Sequence, residues 1–204
     1  MQLIGMLDSP FVRRTFITAK LLDIPFEHRP LSIFRNFAEV HAINPLVKVP
    51  TLVLADGEIM VDSTLIIEYF EESARTRTLM PAQPALRRRC RRLTSFGLAL
   101  AEKSVQLYYE IGLRPQNLRW DEWITRQTGQ LRDGAALMES EIASDGSEWL
   151  CGREIGQADV TVAVAWRFSQ FVLPHILDPE QYPRLADLSA RAEALPAFRA
   201  ADFK

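Results

Sequence analysis

The sequence predicts a mixed α/β domain followed by an all-α domain, and three observations lead there. Short apolar runs at residues 2–6, 51–54 and 58–61 are interleaved with helical patterns in the early part of the chain. A polar, proline-interrupted stretch from Ser73 to Pro84 then breaks the pattern. Beyond it, apolar residues recur at helical spacing.

Gln2-Leu3-Ile4-Gly5-Met6 is long enough for one buried strand. After Asp8, the pair Ser9-Pro10 marks a helix start, since Ser is a preferred N-cap and Pro a preferred first helical residue. Val12, Phe16, Ala19 and Leu22, spaced at four, three and three, form that helix's apolar stripe. Ser9 reads as a cap. Its hydroxyl, beside free backbone N–H groups at the positive end of a helix, equally suits a ligand anion.

A turn at Asn44-Pro45 leads to Val49-Pro50 and the β-prone run Thr51 to Leu54. Proline cannot donate to a sheet ladder, so Pro50 opens the strand rather than lying inside it. Asp56-Gly57 is a hairpin signal joining this run to Glu58–Val61. Asp62 and Ser63 follow at once, then Leu65, Ile66, Tyr69 and Phe70, expected as the buried stripe of a second helix. The start of that helix is a plain cap or an anion site built from N–H groups and the Ser63 hydroxyl.

The predicted division is 1–75, a linker over 76–84, and 85–204. Leu86, Cys90, Leu93, Gly97, Leu100, Ser104, Leu107 and Ile111 alternate at four and three, the seam of a long amphipathic helix in an antiparallel bundle. Another helix is expected from about Leu118 to Ile142, and a turn at Ser144-Asp145-Gly146-Ser147. Gly156 is expected to cap a central helix with Asp159 three residues later, and Val160 to Trp166 shows little polarity on any side.

The 204 residues carry 24 basic and 26 acidic side chains, a net charge of −2, so no global basic field favours nucleic acid or an anionic membrane. No run approaches the length of a membrane helix and Met1 enters directly on a strand pattern, which together point to a cytoplasmic protein. Arg87-Arg88-Arg89-Cys90-Arg91-Arg92 is read as a solvated helix face. Cys90 and Cys151 are distant in sequence, and Cys90 falls on the apolar seam as a small buried hydrophobe. His28, His41 and His175 are scattered without companions, and no metal is assigned.

Taken in order, Ser9-Pro10-Phe11-Val12, Val49-Pro50 and Asp62-Ser63 resemble the three ligand-contacting corners of the cytosolic glutathione transferases. The resemblance spans nearly the whole chain. It implies a thioredoxin-like N-terminal domain, a helical-bundle C-terminal domain and a homodimer with the arginine run near its interface, where interchain ion pairing is its expected use. It also implies glutathione as co-substrate, held by Phe11, Lys48, Val49, Pro50, Asp62 and Ser63. An electrophile pocket is implied at Leu7, Phe11 and, from the long helix, Tyr108, with Tyr109 beside it. Arg13 and Lys48 are expected either to steer the glutathione carboxylates or to be surface charge.

A free thiol titrates near 8.5, leaving about three per cent thiolate at neutral pH. A charge-assisted hydrogen bond of roughly 1.5–3 kcal/mol and a helix N-terminus of roughly 0.3–1 kcal/mol together lower that value by about one to three units. Ser9 therefore needs only to donate to the glutathione sulfur, whose thiolate attacks a small electrophile. A cysteine at this position would favour mixed-disulfide chemistry. Family members of the isomerase branch carry a Ser-Ser-Cys type of motif that Asp8-Ser9-Pro10-Phe11 lacks. Conjugation is the expected reaction. The alternatives are a glutathione-dependent disulfide reductase or peroxidase and a non-catalytic regulatory module.

Overall fold

The structure is a computed structural model describing residues 1–142 and 148–203. It contains two compact units, Met1–Leu79 with Ala194–Lys204, and Met80–Glu193. The turn expected at Ser144–Ser147 lies outside the described residues.

In the first unit the elements run β1 (Gln2–Ile4), α1 (Pro10–Leu21), β2 (Glu27–Arg29), α2 (Phe37–Ile43), β3 (Thr51–Val53), β4 (Ile59–Val61) and α3 (Ser63–Ser73). The sheet order is β2-β1-β3-β4, with β1 and β2 parallel and the other pairs antiparallel. A β-α-β unit followed by a hairpin and a helix is the thioredoxin-like arrangement. Leu3, Ile4 and Leu52 from the sheet, Val12, Phe16 and Ile17 from α1, and Ile66, Ile67 and Phe70 from α3 are buried in its core.

Several details depart from the sequence reading. The strand pattern at 2–6 ends at Ile4, and Gly5 turns the chain with φ +134°. A Cβ there would lie 2.5 Å from Val12 Cγ2 and 3.0 Å from Val49 Cβ, so only glycine lets these two corners approach. In α3 the buried face is Ser63, Ile66, Ile67 and Phe70, whereas Leu65 is 55% exposed. Ile66 and Phe70 are thus buried as expected, while Ser63 and Ile67 take the places expected for Leu65 and Tyr69. The short strand β2 and helix α2 carry no strong sequence signal. Polar Glu27-His28-Arg29 forms an edge, and α2 buries only Val40.

The second unit holds α4 (Pro84–Tyr108), α5 (Asp121–Glu141), α6 (Gln157–Val172) and α7 (Pro183–Glu193). The buried seam of α4 is Cys90, Leu93, Gly97, Leu100, Ala101, Ser104 and Leu107, close to the predicted one. It stops at Tyr108 because the helix widens into a π turn over Tyr109–Leu113, closed by Arg114 N–H to Tyr109 O at 3.0 Å. Gly97 permits close contact with α6, where an added Cβ would meet Thr161 Cγ2 and Val162 N at 3.2 Å. Helix α6 is buried on all sides from Gln157 to Trp166, as its apolar sequence requires. Asp159 Oδ2 accepts from Gly156 N–H and Oδ1 from Leu150 N–H, both at 2.8 Å. This half of a capping box needs no side chain at the cap, so Gly156 serves.

Within the arginine run, Arg89 and Arg92 both bind Glu141 on α5, at 3.1 and 2.6 Å, and Arg89 also reaches Leu150 O at 3.0 Å. These two are therefore engaged inside the chain.

The last segment differs from the expected 85–204 division. Helix α8 (Pro196–Arg199) packs on α1. Arg13, 1% exposed, donates from Nε to Ala201 O at 2.9 Å and lies over the rings of Phe198 and Phe203 at 5.7 and 5.0 Å. No helix among the described residues is long and apolar enough to cross a membrane.

Candidate functional site

The register of the sheet brings the three corners together. Ile4 pairs with Thr51, and Thr51 with Val61, so these residues form one row across β1, β3 and β4. Ser9 follows the β1 end of that row, Val49 and Pro50 precede its β3 member, and Asp62 and Ser63 follow its β4 member. At about 4.8 Å between strands, the row spans about 10 Å.

Two helix N-termini open at this end of the sheet. Ser9 is the N-cap of α1 with Pro10 its first residue. Its Oγ accepts from Val12 N–H at 3.5 Å, a long contact that uses the oxygen and leaves the hydroxyl proton to be donated. Asp62 caps α3, Oδ1 accepting from Thr64 N–H at 2.8 Å. The macrodipoles of α1 and α3 both place their positive ends here, which suits an anionic ligand.

Two of the three non-glycine residues with positive φ among the described residues lie here, the third being Asp23 after α1. Asp62 has φ +74° and ψ 120°, and Val47 has φ +49°, both unusual for residues with a Cβ. Each conformation costs on the order of 1–3 kcal/mol and persists only where its surroundings enforce it. Lys48, next to Val47, reaches Asp62 Oδ2 from Nζ at 3.7 Å and so links the second corner to the third. With both side chains about half exposed, this pair contributes little stability. The Val49-Pro50 bond is cis.

Arg14, which the sequence reading passed over, completes the third corner. It is 2% exposed, and its Nη1 donates to Ser63 Oγ at 2.9 Å and to Thr64 Oγ1 at 3.4 Å. Burial lowers its pKa from 12.5 to about 10, opposed by the attraction of Asp62, so it stays charged at neutral pH. An arginine in mid-helix among apolar residues is the one signal that could have pointed to it. Arg13, by contrast, is taken up by Ala201, Phe198 and Phe203 and is not placed to steer a ligand.

Leu7 and Phe11 flank Ser9 and are half-buried, and Phe11 O accepts from Thr15 Oγ1 at 2.9 Å. Tyr108 is the last residue of α4, its ring 6.2 Å from that of Tyr109. His28 Nε2 lies 2.8 Å from Gly5 O and braces the turn after β1. Among the described residues, no group of three or more His, Cys, Asp or Glu is arranged to hold a metal ion.

A thioredoxin-like unit and a helical unit following it define the fold class. Comparison with known proteins narrows the class. The family model for the glutathione S-transferase N-terminal domain matches residues 3–78, and that for the C-terminal domain matches residues 121–191. The chain belongs to the glutathione S-transferase family. Its relatives include the probable maleylacetoacetate isomerase 2 of Drosophila melanogaster, 27% identical over 92% of this chain and 81% of the relative. The maleylacetoacetate isomerase of Pseudomonas aeruginosa is 28% identical over 92% and 89%. Among solved structures, a glutathione S-transferase of Methylobacterium radiotolerans in complex with glutathione sulfonate superposes with a TM-score of 0.90. It is 25% identical, covering 98% of this chain and 93% of that one.

Proposed function

We propose that this chain binds glutathione across the Ile4–Thr51–Val61 row and that Ser9 holds the glutathione sulfur as a thiolate for attack on a small electrophile. The observation that carries the reading is the row itself. Three extended residues span at most about 10–11 Å, the same reach as the three corners. The sulfur lies against the Ser9 hydroxyl at the start of α1. The middle of the peptide pairs with the Val49 backbone before Pro50. The γ-glutamyl end meets Asp62, Ser63 and the first N–H groups of α3, with Lys48 alongside. The glutathione sulfonate held by the Methylobacterium relative supports the ligand assignment. Leu7 and Phe11 are assigned to the electrophile, and Tyr108 by resemblance alone. The homodimer and the cytoplasmic location are part of the same proposal.

Ser9 acts as a hydrogen-bond donor rather than a nucleophile. Its proton stabilises sulfur-centred charge while the α1 N-terminus adds to it, and no mixed disulfide forms at a serine. Replacing Ser9 by Ala removes a charge-assisted bond of roughly 1.5–3 kcal/mol, so turnover of an aryl halide falls roughly 10- to 150-fold. The pH profile of turnover moves alkaline at the same time. Glutathione titration calorimetry provides the first check. No heat, and no retention on immobilised glutathione, would leave the non-catalytic module as the answer.

A second reading is favoured by the names of the relatives, five of which are maleylacetoacetate isomerases or probable ones. The same bound thiolate can add reversibly to a conjugated cis double bond, allow rotation and leave again, so glutathione is recovered unchanged. Rates on an aryl halide, a disulfide and a cis-enone dicarboxylate separate conjugation, reduction and isomerisation.

A further inference from the structure

Within the helical unit, a cavity of about 510 Å³ opens among the first turns of α4, the end of α5, residues 148–152 and α7. That volume suits a molecule of one or two rings. Its wall is held in place: Leu150 O accepts from Arg89 Nε at 3.0 Å, Leu150 N–H donates to Asp159 Oδ1 at 2.8 Å, and Trp149 and Gly152 bridge. Leu86, Ile142 and Leu188 make one side of it apolar.

The polar side is short of acceptors. Glu141 Oε1 is taken by Arg92 at 2.6 Å, and Oε2 by Arg92 at 2.7 Å and Arg89 at 3.1 Å. The carbonyls of Glu141, Ile142 and Glu148 accept from Arg89, Arg184 and Arg191. Two donors remain. Trp149 is 7% exposed, and its indole N–H makes no hydrogen bond among the described residues. Arg191 uses only Nη2, on Glu148 O at 3.1 Å, and pairs with no carboxylate among those residues. Its guanidinium carbon lies 6.0 Å from the centroid of the Trp149 ring, so the two donors sit side by side. Glu148 itself is exposed at the rim.

We propose that this cavity binds a small aromatic carboxylate, its ring against Leu86 and Leu188 and its carboxylate on the Arg191 guanidinium and the Trp149 indole N–H. Two donors with no free buried acceptor select a group that only accepts, and an ionised carboxylate is that group. The planar fork of Arg191 meets it with two parallel N–H bonds. A buried donor left bare is costly, and the ligand removes that cost for Trp149. An ammonium or alcohol ligand would find no acceptor except the exposed Glu148. A rigid ring also loses little conformational freedom on entering the apolar side. The proposal rests on the helical unit alone and does not depend on the glutathione reading of the N-terminal unit.

The test is titration calorimetry of the intact chain with phenylacetate and with its neutral amide, phenylacetamide. The acid is expected to bind once per chain, and the amide roughly tenfold more weakly or worse, since it accepts no charge-assisted pair of bonds. Arg191→Gln is expected to weaken the acid by about the same factor while changing the amide less than about twofold, and Arg191→Lys to restore part of the loss. Trp149→Phe keeps an aromatic ring, removes the N–H and weakens the acid several-fold. Arg191 is exposed on α7, so its variants decide the matter even where Trp149→Phe does not fold. Absence of heat with the acid overturns the proposal. So do equal affinities for acid and amide, and an affinity for the acid unchanged in Arg191→Gln, which would put phenylacetate elsewhere on the chain.

Discussion

Ser63 Oγ accepts a hydrogen bond from the buried guanidinium of Arg14, 2.9 Å away. Because Ser63 is the acceptor in this contact, its hydroxyl proton remains available to donate. On the proposed reading, Arg14 is a positioning residue for the γ-glutamyl end. Arg14→Met removes the contact while keeping the bulk. KM for glutathione is expected to rise about tenfold, from a loss of roughly 1–2 kcal/mol, with kcat on an aryl halide changed less than about twofold. Steady-state kinetics with Arg14→Lys as partial rescue check this, and an equal fall in kcat at unchanged KM would refute it. The helix starts at Ser9 and Asp62-Ser63 and the turn at Val49-Pro50 were readable in the sequence because caps, prolines and a hairpin signal mark them locally. Arg14 was not, since its partner lies on another helix, and Arg13 was misread because its partners come from the far end of the chain.

Helix α6 shows the element scale. Its N-terminus carries a carboxylate, Asp159, that is fully buried, and burial raises its pKa from 3.8 to about 6 against the opposing pull of the Leu150 and Gly156 N–H groups. The folded chain therefore keeps a proton that the unfolded chain releases between about pH 4 and pH 6. This group's contribution is fully present below the lower value and is lost as pH rises through the upper one, an effect on the order of 2–3 kcal/mol. Urea unfolding of wild type and Asp159→Asn across that range isolates it. Wild type should lose stability relative to the variant from pH 4 to pH 6.5, and parallel curves would refute the assignment. The cap itself and the seam of α4 were legible because helical period and capping chemistry are local. Strand β2 and helix α2 were not, since a polar edge strand and a mostly exposed helix owe their form to neighbours rather than to their own pattern.

For the molecule as a whole, the chain leaves the N-terminal unit near Leu79 and returns to it at Ala194. The returning segment supplies the carbonyls of Phe198 and Ala201 and two aromatic rings to the buried Arg13. Deleting residues 194–204 leaves that guanidinium enclosed with fewer acceptors or opens it to water. The expected loss for the N-terminal unit is on the order of 2–4 kcal/mol, visible as a lower urea midpoint of its transition. An unchanged midpoint would show that Arg13 draws its stability elsewhere. The two-part organisation was legible from the proline-broken stretch after Ser73. The return was not, because a short C-terminal helix looks the same wherever it docks.

That closing segment also orders events during synthesis. Residues 1–79 leave the ribosome well before residues 194–203, so one buried charge of this unit waits for acceptors that are translated much later. In the interval a nascent chain holds a nearly finished sheet whose Arg13 still lacks the carbonyls of Phe198 and Ala201, and chaperones would meet it in that half-sealed form.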